Sequence, residues 1–194
     1  MSPYAYGILH RQHHKYTDVE GDPHSPYIQA NFWQMMISTY NKFNEVRDGV
    51  DDYNPNFKTN LPKWSWFDNF ASSWITKLGW GGVYVIIYLI FAPHWAWYLL
   101  LPVHFIMGPI HGAIVNWFAH TFGYRNYDCD NHSRNLMPFD IFMMGEGYHN
   151  NHHAKAASPK FAHKWYEIDP VYPVMRLMNK LNIIKLKPVL VKAD

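Results

Sequence analysis

No aspartate, glutamate, lysine or arginine occurs between Lys77 and Arg125. An element that meets water needs a polar face, and this stretch has almost none. It is about twice the roughly 20 residues that carry a helix across a bilayer. Two segments divide it. Residues 78–92 (LGWGGVYVIIYLIFA) are short for a full crossing, and residues 95–122 are long enough to cross and protrude. Pro93-His94 marks the turn between them. The pattern predicts a transmembrane hairpin over about residues 78–122. A buried hairpin of a soluble protein is the competing reading, disfavoured because Val83–Phe91 has only tyrosine to relieve its hydrophobicity.

The chain has 194 residues, enough for one domain and one core, taken as residues 1–194. Its net charge of +2, with no basic run interleaved with aromatics, excludes a nucleic-acid footprint. The single cysteine, Cys129, excludes an internal disulfide and a cysteine-rich zinc site. Aromatics make up 18% of the residues, with 9 Trp and 14 Tyr, which suits contact with a membrane interface. The N-terminus has no signal-peptide pattern and reads as the last turns of a helix already under way.

Residues 4–17 are expected to be helical, followed by a Gly/Asp/Pro/Ser loop over 18–26 and an amphipathic helix over 29–48. Residues 49–63 read as a solvated connection, and Trp64, Trp66, Phe67, Phe70 and Trp74 as an aromatic belt leading to the hairpin. Residues 138–153 are expected on a helix, and 164–186 on an amphipathic surface helix. The fold class is therefore all-α: an integral membrane helical protein with a transmembrane hairpin and a cytosolic helical cap.

Histidine occurs 13 times, dispersed in short clusters. His10, His13 and His14 have the spacing H-x-x-H-H, and so do His149, His152 and His153. On a helix, positions i, i+3 and i+4 share a face, so each cluster points three imidazoles in one direction. Charged, they would repel; neutral and buried, they would each need a partner. A metal ion resolves both problems by taking the lone pairs of neutral rings. Asn116 and His120, four apart near the end of the second apolar segment, form a third polar cluster that is costly there unless used. Imidazole ligands can hold iron, zinc, copper or nickel, and the spacing does not choose among them.

These residues resemble the membrane fatty-acid desaturase family, in the branch similar to stearoyl-CoA (delta-9) desaturases. His10-Arg-Gln-His13-His14-Lys15-Tyr16 with Asp22-Pro23-His24 resembles the family's second histidine box. Asn116-x-x-x-His120 with Gly123 resembles its additional ligand site, and Gly145-Glu146-Gly147-Tyr148-His149-Asn150-Asn151-His152-His153 its third box. The resemblance implies a non-haem di-iron centre held by His10, His13, His14, His120, His149, His152 and His153, with Asn116 acting through water. Asp22 and Glu146, and also Asp18, would orient those ligands. The family's first box, H-x-x-x-x-H, is absent here, which reads as an N-terminally truncated record.

The activity implied is O2-dependent insertion of a cis double bond into an acyl chain, with acyl-CoA of the delta-9 type as the expected substrate. Electrons would come from a cytochrome b5-like or ferredoxin-like donor. The expected site is a lipid membrane, a bacterial inner membrane with the metals on its cytoplasmic side. A related di-iron acyl or alkane hydroxylase and an inactive desaturase fragment are the alternatives. A soluble zinc hydrolase ranks below both, since it gives no reason for the hairpin and no H-E-x-x-H is present.

Overall fold

Helix α1 (Pro3–Tyr16) begins where Ser2 accepts the amide of Ala5 at 3.1 Å and Pro3 occupies the first turn, where a missing N–H costs nothing. The computed structural model describes residues 1–186, and in it α1 has two faces. Tyr4, Ala5, Ile8 and Leu9 are buried against Val46 of helix α2 (Phe32–Asp48) and Phe57 of the 3-10 turn Pro55–Phe57. At about 3.6 residues per turn, His10, His13 and His14 emerge on the other side. Burying the apolar face therefore aims the histidines. The helix ends where the Thr17 hydroxyl donates to the His13 carbonyl at 2.7 Å and Asp18 turns to φ 62°, a left-handed conformation that aspartate tolerates.

Helix α3 (Ser65–Ser72) carries the aromatic run, with Trp64, Trp66, Phe67 and Phe70 all exposed. The hairpin follows. Its first arm, α4 (Trp74–Phe91), starts earlier than the sequence suggests because Ser73 caps the Thr76 amide at 3.2 Å. The return arm runs over Trp95–Thr121 as a 3-10 segment (Trp95–Leu100), α5 (Leu101–Ala113), a π turn (Ile114–Phe118) and α6 (Ala119–Thr121). The arms, 18 and 27 residues long, are long and apolar enough to cross a membrane. No residue of α4 is buried, although it is apolar on every side. The Tyr88 hydroxyl and His104 Nε2 meet across the hairpin at 2.7 Å, so His104 bonds between its two arms.

Beyond the hairpin the chain is mostly loops. Among the described residues there is no strand, only isolated bridges such as Tyr124–Asn135 and Asn135–Tyr148. The helix expected over 138–153 is a correction: residues 141–147 form turns, and α7 (His149–Ala154) starts at the first histidine. Asp140 holds the turns closed, accepting the amides of Met143 at 3.1 Å and Gly147 at 2.7 Å. A Cβ on Gly147 would lie 2.8 Å from that carboxylate, so only glycine fits. Helix α8 (Val171–Lys180) is amphipathic, with Val174 and Leu177 exposed, but it covers only the middle of the helix expected over 164–186; residues 164–170 and 181–186 are turns and irregular chain.

Tyr148 pins this loop region. It is wholly buried, and its hydroxyl donates to the Pro138 carbonyl at 3.0 Å while accepting the amides of Ile168 at 2.7 Å and Asp140 at 3.2 Å. Tyr148→Phe leaves two buried amides without that acceptor and should cost about 1–3 kcal/mol. Chemical denaturation in detergent measures this, and an unchanged midpoint would show that the hydroxyl is dispensable.

Candidate metal centre

Helix α7 has only six residues, too few to persist alone. Long-range asparagine contacts hold it. Asn135 Oδ1 accepts the amides of Asn150 at 3.0 Å and Asn151 at 3.2 Å, capping a helix end that has no side-chain cap of its own. Asn150 Oδ1 accepts the amides of Asn126 and Tyr127, at 2.8 and 2.9 Å. Asn151 Nδ2 donates to the Phe161 carbonyl and to Glu167 Oε2, both at 2.8 Å. Glu167, buried, also accepts from the Tyr124 hydroxyl and the amides of His163 and Lys164. The two asparagines inside the cluster thus anchor the side of α7 opposite its histidines. Sequence reasoning missed Asn135, Asn150, Asn151 and Glu167; an Asn-Asn pair between ligand-type histidines was the available signal.

With α1 and α7 fixed, seven imidazoles converge in two neighbouring groups. His10, His14 and His152 form one; His13, His120, His149 and His153 form the other. The two H-x-x-H-H clusters exchange their middle members. The i, i+4 pair of α1 takes the i+3 histidine of α7, and the i, i+4 pair of α7 takes the i+3 histidine of α1. In the first group the Nε2 atoms lie 3.0 Å (His10–His14), 3.0 Å (His10–His152) and 2.8 Å (His14–His152) apart. In the second the separations are 3.2 Å (His13–His153), 2.9 Å (His120–His149) and 3.0 Å (His149–His153).

Hydrogen bonds cannot account for this. A neutral imidazole has one N–H, and on two rings that proton is already used. His13 Nδ1 donates to the Asp22 carboxylate at 2.9 Å, and His120 Nδ1 donates to Asp18 at 3.0 Å. Their Nε2 atoms therefore present bare lone pairs to the group. Carboxylates behind imidazoles in this way fix the tautomer and strengthen the ligand. Burial, with the neighbouring histidines adding to it, holds His13, His149 and His153 well below the usual imidazole range. Burial likewise lowers His10 to about 4 and His14 to about 3. These five rings are neutral at physiological pH, as metal ligands must be. Within each group the ligand atoms all lie within 4.8 Å of one another, close enough for one ion to reach them.

The other expected site residues fall differently. Asp22 and Asp18 each brace a histidine, as described. Asp18 also accepts the Ser25 hydroxyl at 2.7 Å and the His132 amide at 2.8 Å. The Glu146 carboxylate makes no hydrogen bond to a histidine among the described residues. It lies beside Tyr6, whose ring stacks on His10 at 5.8 Å, and burial pushes it up to about 7. Asn116 is half-buried in the π turn, four residues ahead of His120. His24, to which the sequence assigned no role, stacks on His13 at 4.5 Å, and its amide donates to Asp22 at 3.0 Å.

Two outcomes follow. Asp22→Ala or Asp18→Ala should each weaken metal binding about 10–100-fold. Competition with a chelator reads this, and wild-type affinity in both variants would remove the bracing role. Acid should also loosen the metal-free fold. His10 and His14 have folded values of about 4 and about 3 against an ordinary 6.5, so below pH 6.5 the unfolded chain binds protons that the folded chain refuses. The contribution of these two rings is therefore fully present above about pH 6.5 and is lost as pH drops toward about 4. Denaturation of the metal-free protein at pH 7.5, 6 and 5 tests the sign.

The Fatty acid desaturase family profile matches residues 1–182. The Delta-9 desaturase-like 3 protein of Arabidopsis thaliana is 30% identical, over 93% of this chain and 62% of its own length. The sn-2 palmitoyl-lipid 9-desaturase of Nostoc sp. is 30% identical, over 91% of this chain and 60% of its own. The sn-1 stearoyl-lipid 9-desaturase of Synechocystis sp. is 25% identical, over 93% and 55%. The chain thus spans about 55–62% of the length of these curated relatives. No solved structure matches. With a family match over nearly all its length and histidine boxes that converge as a metal centre requires, the chain belongs to the fatty acid desaturase family.

Proposed function

We propose that this chain is the metal-binding part of an O2-dependent acyl desaturase that introduces a cis double bond at the delta-9 position. The observation that carries the proposal is the exchange of middle histidines between α1 and α7, which provides two adjacent sets of neutral imidazole donors. His10, His14 and His152 would hold one iron, and His13, His120, His149 and His153 the other. Asn116 would contribute through a bound water. The di-iron centre, when bound, supplies the oxidising power to break unactivated C–H bonds, which no side chain can do. The protein's part is positional. Asp18 and Asp22 hold His120 and His13 in orientation, and burial keeps His10, His13, His14, His149, His152 and His153 neutral. The hairpin would place the acyl chain beside the site in an apolar setting, so that one carbon pair reacts.

The hairpin would span the bilayer. Lys63 precedes its first arm, Lys77 lies in the first turn of that arm and Arg125 follows the second, while the Ala92–His94 turn carries no lysine or arginine. By the positive-inside rule both ends, and the metal centre with them, face the cytoplasm. A bacterial inner membrane is the proposed setting. Curated relatives named for palmitoyl-lipid and stearoyl-lipid substrates favour a lipid-bound acyl chain over the acyl-CoA expected from sequence. An acidic cytochrome b5-like or ferredoxin-like protein would supply the electrons.

Elemental analysis of the detergent-purified protein should give close to two irons per chain, lost in His13→Ala and His152→Ala. Incubation with stearoyl lipid and stearoyl-CoA under O2 with a reductant should then give a 9-alkene from the preferred substrate. An alcohol would make it a hydroxylase, and an iron-free wild type would sink the proposal.

A further inference from the structure

The segment after α7 is chemically unlike its surroundings. Residues 154–165 (AKAASPKFAHKW) carry Lys155, Lys160 and Lys164 and no acid. The acids that follow are already engaged: Glu167 by the asparagine network, and Asp169 by the amides of Phe161, Val171 and Tyr172. Among the described residues no carboxylate pairs with any of the three lysines, and Asp128 nearby faces Arg125 at 3.6 Å. Lys155 lies over the Tyr127 ring at 5.1 Å, and that hydroxyl meets His163 at 3.0 Å, so the loop folds into one patch. Trp165, 95% exposed, stands beside Lys164. An uncompensated basic patch with a solvent-facing tryptophan has the composition of a protein-docking surface.

Its position gives the patch a purpose. Phe161, inside the same loop, packs its ring on His152 at 4.5 Å. One residue of the loop thus touches a histidine of the first group, while half-exposed Lys155 and Lys160 and exposed Lys164 carry the charge. His149, at the other end of α7, is the residue that meets His120 of the hairpin. The lysines begin at the far end of the helix from that contact, which favours a soluble partner over lipid head groups.

We propose that the Lys155–Trp165 loop is the docking surface for an acidic one-electron carrier protein, with Phe161 as the contact between that surface and His152. This rests on the desaturase reading above. Each docking passes one electron from the reduced carrier to the metal centre. Two such electrons, two protons and O2, with the two hydrogens leaving the acyl chain, give the alkene and two waters.

The test is binding, which needs no turnover. A plant-type [2Fe–2S] ferredoxin and a soluble cytochrome b5 domain are titrated separately against the full chain in nanodiscs, at several salt concentrations. At least one should bind, more weakly as salt rises. The K155E/K160E/K164E variant, with its stability checked, should bind at least tenfold more weakly and lose the salt dependence. Equal binding by variant and wild type, or no binding of either carrier to wild type, overturns the proposal. So does a variant whose only change is lost preference for phosphatidylglycerol nanodiscs, because the loop then serves lipid. Product formation by wild type with a chemical reductant is scored separately: its absence counts against the desaturase reading, and its presence beside unchanged carrier binding counts against the docking surface alone.

Discussion

Seven imidazole nitrogens brought within about 3 Å of their neighbours cannot satisfy one another. Each ring has a single N–H, and Asp22 and Asp18 have already drawn two of those protons to the outer nitrogens. The inner lone pairs face each other, which without a cation is repulsive. The rest of the structure holds that convergence in place. The apolar face of α1 is buried on α2 so that its histidines face inward. The asparagine and Glu167 network gives six residues the rigidity of a helix. The turn closed by Asp140 delivers His149 at the right point.

The exchange of middle histidines has a mechanical consequence. Neither helix owns a binding position, because each ion would take ligands from both. Binding therefore fastens α1 to α7 across 142 residues of chain, and metal loss should release both helices together. His120 adds the end of the hairpin to the same knot, through a π turn of the kind that recurs where a helix must deliver a functional side chain off its regular spacing. The apolar arms and the polar site are thus one mechanical unit.

Much of the fold and of the site was legible because it rests on short periodicities. The i, i+3, i+4 histidines, the uncharged hairpin, the α1 stripe of Tyr4, Ala5, Ile8 and Leu9, and the amphipathic α8 are all local patterns. The helix expected over 138–153 failed ahead of His149 because a charge, Asp140, closes turns on amides that no propensity argument pairs with it. Glu146 stands inside a histidine box but makes no hydrogen bond to a histidine among the described residues, whereas Asp18 reaches His120 across 102 residues of chain.

The sequence by itself determined that this protein has two sets of imidazoles and an apolar hairpin, because a helix repeats every few residues and charge cannot hide in hydrocarbon. It did not contain the partition of those imidazoles. That His13 sits with His149 and His153, and His152 with His10 and His14, was decided only by the tertiary structure, because partnership depends on the angle and depth at which two distant helices meet.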